Sequence, residues 1–289
     1  MRLPYFFSSF ARLFERRYRK GHLLRQRYRI VEELGMGSYG IAYLANDLQT
    51  GRNVVVKQGR TRRNISGALF QREAAILRRL QHPQIPKWYD TFVEEGIPHL
   101  VMEHKEGDTV ETLIFDKGHT YTEHQSFCLL RDVLEVVAYI HAKGVVHRDL
   151  RIPNILLCDG TVFIIDFGLA RFFGEPIPHL ETYVLEKQLR RETSAKSDFY
   201  ALGHFTLFLL YSSYEPVTKE EKSWEEELPL SAEARCILRK MLQIDRPYDN
   251  IAALISDVDQ LLGGESLASG RSIRQNNNYF AKGIDIAYH

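Results

Sequence analysis

The chain has 289 residues, 44% hydrophobic and 26% charged, a balance that excludes a disordered or fibrous protein and leaves room for one large or two small cores. Its three cysteines, Cys128, Cys158 and Cys236, match neither a metal spacing nor a disulfide framework, so a reducing, cytoplasmic setting is expected. The net charge of +1 hides an asymmetry: residues 1–29 hold nine Arg or Lys against Glu15 alone, a net of +8 that leaves −7 for the rest.

In chain order, residues 1–24 read as an appendage. Phe6, Phe7, Phe10, Leu13 and Phe14 recur at helical spacing, with Arg12, Arg16, Arg17, Arg19 and Lys20 supplying charge, the pattern of a basic amphipathic helix. Its partner is an anionic membrane surface, an acidic protein face or the body of the protein itself. No specific nucleic acid is expected. Strands follow at Tyr28–Leu34, Ile41–Ala45 and Asn53–Lys57, then a helix over Ser66–Leu80, with Leu69, Ala74, Ile76, Leu77 and Leu80 on its apolar side. Two strands come near Lys87–Glu94 and Pro98–Glu103. From Thr109 the pattern is mostly helical, except around Ile155–Leu157 and Val162–Ile165. The longest apolar run of the second half, Phe205–Tyr211, is far below the ~20 residues of a membrane span. Residues 264–289, with their Gln-Asn-Asn-Asn run, read as a flexible tail.

Three features carry chemistry. Leu34-Gly35-Met36-Gly37-Ser38-Tyr39-Gly40 contains G-x-G-x-x-G with strands on both sides. A dinucleotide-binding loop would open a helix instead. Glycines let a backbone approach phosphate oxygens closely, and a plain hairpin turn is the alternative. Val54-Val55-Val56-Lys57 ends an apolar strand with an ammonium that needs a partner when desolvated. Glu73 offers one from the helix face that also carries Leu69, Ile76 and Leu77, unless the lysine lies exposed on an edge strand. Finally, His147-Arg148-Asp149-Leu150-Arg151-Ile152-Pro153-Asn154 is followed, twelve residues beyond Asn154, by Asp166-Phe167-Gly168.

In this order these segments match the Gly-rich loop, strand lysine, catalytic loop and D-F-G element of protein kinases, and the chain resembles a eukaryotic-type protein kinase over roughly Tyr28–Leu262. The resemblance implies an α+β, bilobal fold, with a small β-rich N-lobe (28–104) and a larger α-helical C-lobe (105–263), between the extension 1–27 and the tail 264–289. It implies an ATP- and Mg²⁺-dependent kinase, with Mn²⁺ as the alternative ion, that moves the γ-phosphate to a Ser/Thr hydroxyl of a protein, its own chain included. Asp149 would accept or orient the hydroxyl proton, and Lys57, held by Glu73, would face the phosphates with Arg151. Asn154 and Asp166 would hold the metal. The nucleotide contacts implied are Leu34, Gly35, Gly37, Gly40, Ala42, Val55, Lys57, Met102, Glu103, His104 and Leu156. Ser197–Gly203 resembles the start of a buried helix whose Asp198 holds the catalytic-loop backbone or serves as an N-cap.

The chain also departs from the family pattern. Ala42 and Val55 exchange the usual Val and Ala over the adenine, a swap that conserves volume. Arg151 stands where Ser/Thr kinases usually carry Lys. The A-P-E element is absent, with Val184-Leu185-Glu186 at its place and His179 where a Thr is usual. Glu186 is expected to pair with Arg246. From Asp166 to Glu186 only Thr182 and Tyr183 carry hydroxyl groups, and Arg148 would anchor a phosphate placed there. The short segment and basic start leave two alternatives to a protein kinase: a kinase for a small molecule or lipid head group, peripheral at the inner membrane surface, and a nucleotide-binding scaffold without turnover.

Overall fold

Two-residue periodicity shapes the first part of the protein. The computed structural model describes residues 16–37, 40–60, 65–215 and 222–269, and the chain divides into two compact units, Met1–Lys105 and Glu106–His289. In the first unit β1 (Leu23–Leu24), β2 (Tyr28–Met36), β3 (Gly40–Asp47), β4 (Asn53–Gly59), β5 (Trp88–Glu94) and β6 (Ile97–Glu103) form one antiparallel sheet in the order β1-β2-β3-β4-β6-β5. Ile41, Tyr43 and Ala45 of β3 and Val54 and Val56 of β4 are buried on one face. Ala42, Leu44, Val55 and Lys57 occupy the other, as the pleat requires. Helix α1 (Ile65–Arg79) packs against β5 and β6 and turns Phe70, Glu73, Ala74 and Leu77 inward at one-turn spacing.

Residues 16–27, placed in the extension by the sequence reading, are part of this unit. They form no helix, and β1 adds to the edge of the sheet through Leu23↔Arg29 and Leu24↔Tyr28. Tyr18 and Leu24 are buried in one cluster with Tyr28, Tyr43, Phe92 and Val101. The Tyr18 hydroxyl lies 3.0 Å from His99 Nε2, Tyr18 N donates to the Tyr43 hydroxyl at 3.1 Å, and Gln58 Nε2 donates to Arg16 O at 2.7 Å. The physical reason is amphipathicity: Tyr18 presents a large ring to the sheet and keeps a polar tip for the buried imidazole. Four of the basic side chains meet the unit's own acids, as Arg16–Glu95, Arg17–Glu33, Arg25–Asp90 and Arg27–Asp47. The protein's own acidic face thus takes much of the charge that suggested an anionic partner. Phe6, Phe7, Phe10, Arg12, Leu13 and Phe14 lie outside the described residues.

The second unit begins with β7 (Asp108–Thr109), α2 (Val110–Phe115) and α3 (Glu123–Ala142). Helix α3 opens on a capping box between Thr122 and Gln125. Then come β8 (Val145–Val146), a 3₁₀ turn (Ile152–Asn154), β9 (Ile155–Cys158), β10 (Thr161–Ile164), β11 (Arg171–Phe172) and a second 3₁₀ turn (Leu180–Thr182). The helices α4 (Leu185–Arg191), α5 (Ala195–Tyr211), α6 (Trp224–Glu227), α7 (Ala232–Met241) and α8 (Ile251–Ser269) complete it. Helix α5 buries most of its residues, among them Phe199, Leu202, Phe205, Thr206 and Leu209, and leaves Phe208 half exposed, as a helix largely enclosed in a core does. Helix α3 packs against α5 and α8, and α7 against α5 and α8. Helix α8 runs on to Ser269, past the expected start of the tail at 264, and the rest of the tail lies outside the described residues. The α+β expectation, strands first and helices after, matches this architecture. Among the described residues no helix is long and apolar enough to cross a membrane.

Candidate active site

In the first unit the strand register sorts the expected nucleotide contacts onto one face. Ala42 lies opposite Lys57, Leu44 opposite Val55, Lys57 opposite Leu100 and Val55 opposite Met102. Ala42 and Val55 are therefore diagonal neighbours on the face that carries Lys57, near enough for their side chains to share one surface. Glu103 and His104 follow at the end of β6. Lys57 Nζ lies 2.5 Å from Glu73 Oε1, and the Glu73 side chain is 2% exposed. A carboxylate so deep in a protein needs its cation.

The glycines of the loop between β2 and β3 differ in what they do. A Cβ on Gly40 would lie 1.9 Å from the Gln58 carbonyl oxygen, so the close approach of β3 to β4 excludes any side chain there. A Cβ on Gly35 or Gly37 would meet nothing within 4 Å, which leaves the space above the loop open to a ligand. Leu34, at the start of the loop, is half exposed. Arg60 Nη2 donates to Gly37 O at 3.0 Å, a brace that the sequence reading missed because nothing in the local pattern marks Arg60.

In the second unit the catalytic loop hangs on a buried acid. Asp198 is wholly buried and accepts from His147 N at 2.9 Å and Arg148 N at 2.6 Å, with His141 Nε2 at 2.9 Å. Burial pushes its pKa up, but the hydrogen bond from His141, the charges of His141 and His147 and the Arg148 amide outweigh that and hold it below the ordinary carboxylate value. The N-cap of α5 is Ser194, so of the two roles open to Asp198 the structure assigns it the loop. His147 Nε2 lies 3.1 Å from Ile165 O, and Asp149 N donates to His147 Nδ1 at 3.3 Å. Both ring nitrogens of His147 are thus engaged. Phe167 packs edge-on against the same imidazole, with ring centroids 4.6 Å apart.

Around Asp149 three groups fix the carboxylate. Arg151 Nε and Nη2 donate to Asp149 Oδ1 and Oδ2 at 3.0 and 3.3 Å, and Asn154 Nδ2 donates to Oδ2 at 2.8 Å. Asn154 Nδ2 also donates to Asp149 O at 2.8 Å. Both its protons are thus committed, and its carbonyl oxygen is left to act as an acceptor. The β9–β10 hairpin brings Asn154 beside the D-F-G segment: Ile155 pairs with Ile164, and Ile165 N donates to Asn154 O at 3.0 Å. Asp166 follows at φ 62, and Arg148 sits at φ 67. Left-handed backbone at non-glycine residues is costly and tends to collect where function demands it. A neutral amide oxygen and a carboxylate presented by adjacent segments are hard donors that suit a divalent cation completed by phosphate oxygens and water. Leu156, the last expected nucleotide contact, is buried on β9 opposite Phe163.

One expectation is corrected. Glu186 does not pair with Arg246. It meets Arg190, one turn along α4, at 3.1 Å, while Arg246 meets Asp249. A partner on the same helix costs far less ordering than one sixty residues away. Arg148 Nη1 donates to Leu169 O at 3.0 Å and Nη2 to Arg191 O at 2.6 Å.

The family model of the protein kinase domain matches residues 28–260. Over 253 residues the chain is 35% identical to the probable serine/threonine-protein kinase YbdM of Bacillus subtilis, covering 86% of this chain and 95% of that protein. A probable myosin light chain kinase of Dictyostelium discoideum is 28% identical over 274 residues, 87% of this chain and 86% of the relative. Calcium-dependent protein kinase 14 of Arabidopsis thaliana is 29% identical over 254 residues, 82% of this chain but only 46% of the plant protein. The chain belongs to the protein kinase domain family. Within it, this is a protein serine/threonine kinase, an enzyme that uses ATP and a divalent metal to phosphorylate a protein substrate.

Proposed function

We propose that the two sets of residues described above divide the work of phosphoryl transfer, with Mg²⁺ as the ion. The Mg²⁺–ATP complex, when bound, supplies the phosphoryl group and the counter-charge for it. Lys57, held by Glu73, positions the phosphates. The backbone at Gly35 and Gly37 approaches them, and Ala42, Val55, Met102 and Leu156 provide apolar surface for the base, with Glu103 and His104 offering backbone groups. Asn154 Oδ1 and the Asp166 carboxylate hold the metal. Asp149 orients the acceptor hydroxyl and takes its proton, and Arg151 keeps a positive charge beside the transferring group. The observation that supports this reading best is the frame around Asp149, where both carboxylate oxygens are oriented by Arg151 and Asn154 before any substrate arrives.

The test is transfer of labelled phosphate from ATP to a generic protein substrate and to the chain itself, in Mg²⁺ and then in Mn²⁺. Asp149→Ala is expected to lower kcat by about 10²–10⁴-fold while nucleotide affinity changes little. Undiminished labelling by that variant would remove Asp149 from the reaction. An anionic surface for residues 1–24 is a separate proposal. It is carried by the basic and aromatic pattern alone, and equal liposome flotation with and without residues 1–24 would end it.

A further inference from the structure

The face of the first sheet turned away from Lys57 holds a polar side chain that packing alone does not explain. Val54, Val56 and Gln58 alternate on β4 with Val55 and Lys57. Gln58 is 1% exposed and stands between Ile41 of β3 and His99 of β6 in one cross-strand row. The next row, Tyr43, Val56 and Val101, belongs to the buried apolar cluster. Gln58 Nε2 donates to Arg16 O at 2.7 Å, while its Oε1 is buried with no hydrogen-bond partner among the described residues. A half-satisfied amide in an apolar layer is costly, and an unbranched apolar side chain of the same length would pack there without that cost.

The same residue reaches the nucleotide loop through its backbone. Gly40 is seated against the Gln58 carbonyl oxygen, too close for any Cβ. Lys57 precedes Gln58 on the strand and lies opposite Ala42. Residues 16–18 also hold the two strands that carry the loop. Tyr18 N donates at 3.1 Å to the hydroxyl of Tyr43, which follows Gly40 on β3. Tyr43 lies opposite Glu33 of β2, whose Oε2 is 3.5 Å from Arg17 Nη1, a solvent-facing pair that adds little. The segment is itself fixed. The Tyr18 hydroxyl lies 3.0 Å from His99 Nε2, Gly21 N donates to Ile30 O at 2.8 Å, and Ile30 N donates to His22 O at 2.9 Å.

We infer that Gln58 is a positioning residue for ATP: its side-chain amide, bonded to the Arg16 carbonyl on the outer face, fixes the backbone carbonyl that seats Gly40, so residues 16–18 set the place of the glycine-rich loop relative to Lys57. The inference rests on the kinase reading above and adds to the nucleotide site a segment that lies before the family match at 28–260. An amide anchored on one face resists rolling of the strand, a motion that would displace its carbonyl and the Lys57 side chain together. A loop already in place loses less freedom when the phosphates arrive.

The experiment uses the full chain in Mg²⁺ and reads the Kd for ATP by titration calorimetry, beside initial rates and thermal melts. Gln58→Met keeps the side-chain length and removes the amide. It is expected to raise the Kd and KM for ATP by about three- to tenfold with kcat within about twofold, and to keep the melting temperature within about 3 °C. A merely structural role would instead lower the melting temperature and leave the Kd alone. Tyr43→Phe removes the acceptor of Tyr18 N and is expected to raise the same Kd by about two- to fivefold, and the double variant should fall short of the product of the two, since both act through residues 16–18. Amide exchange over β2 and β3 should quicken in Gln58→Met while α1 keeps its protection. An unchanged Kd in Gln58→Met, a fall in kcat alone, or two effects that multiply would each overturn the inference. A wild type that binds ATP but transfers no phosphate would sink the kinase reading alone, because affinity is read without turnover. A wild type that binds no ATP would sink both.

Discussion

Lys57 and Glu73 are sixteen residues apart and meet at 2.5 Å, and this was legible in advance because helical period put Glu73 on the inward face of α1 and a strand-end ammonium needed an acid. The glycines were legible only as a group. Gly40 answers to the Gln58 carbonyl, whereas Gly35 and Gly37 face open space. Gly40→Ala is therefore expected to destabilise the first unit by several kcal/mol, since backbone cannot yield cheaply to a Cβ at 1.9 Å. Gly35→Ala should leave the melting temperature within about 1 °C and raise the KM for ATP. Thermal melts and initial rates on the two variants decide between packing and ligand roles. His99 gives a second expectation. Burial lowers its pKa from 6.5 to about 4. The unfolded chain binds a proton from pH 6.5 downward and the folded one only near pH 4. Its contribution is complete above 6.5 and is lost as pH falls toward 4, by up to about 3 kcal/mol. His204, likewise lowered to about 4 by burial, adds to the slope. Denaturant melts between pH 4 and 7 should show that slope, and His99→Gln should flatten part of it.

Elements were read well where one period dominated. The strands at Tyr28, Ile41, Asn53, Lys87 and Pro98 and the helix from Ser66 all lie within a few residues of β2 to β6 and α1. Residues 16–24 were misread because Tyr18, His22 and Leu24 have no period of their own. Their partners are the Tyr43 hydroxyl, the buried His99 imidazole and the Tyr18–His22 stack at 4.5 Å, and His99 is 81 positions from Tyr18. Tyr18→Ala is expected to cost about 3–5 kcal/mol, and Tyr18→Phe about 1 kcal/mol for the lost contact with His99. Equal melting temperatures for Tyr18→Ala and wild type would show that the segment merely rests on the sheet. Helix α4 taught the opposite lesson, since Glu186 took the cation nearest in sequence, Arg190, rather than the distant Arg246.

For the molecule as a whole, the match to the family begins at residue 28, but the first unit's core begins earlier. A chain starting at residue 28 would uncover Tyr43 and His99 and lose Tyr18, Leu24 and the Arg27–Asp47 ion pair. That amounts to at least about 4 kcal/mol of apolar burial and a fall of roughly 10 °C in melting temperature. Differential scanning calorimetry of that chain beside the full protein checks the fall. The sequence by itself determined the chemistry: which residues could bind phosphate, metal and proton, and which period ran through each strand and helix, because these depend on residue type and local spacing. Tertiary structure alone decided who neutralises whom. The pairing of Arg148 with carbonyls, the release of Asp198 from capping to hold a loop and the seat of Tyr18 all depend on distances between segments far apart in the chain. A buried charge or hydroxyl takes whichever partner folding brings within about 3 Å, and no local pattern records that choice.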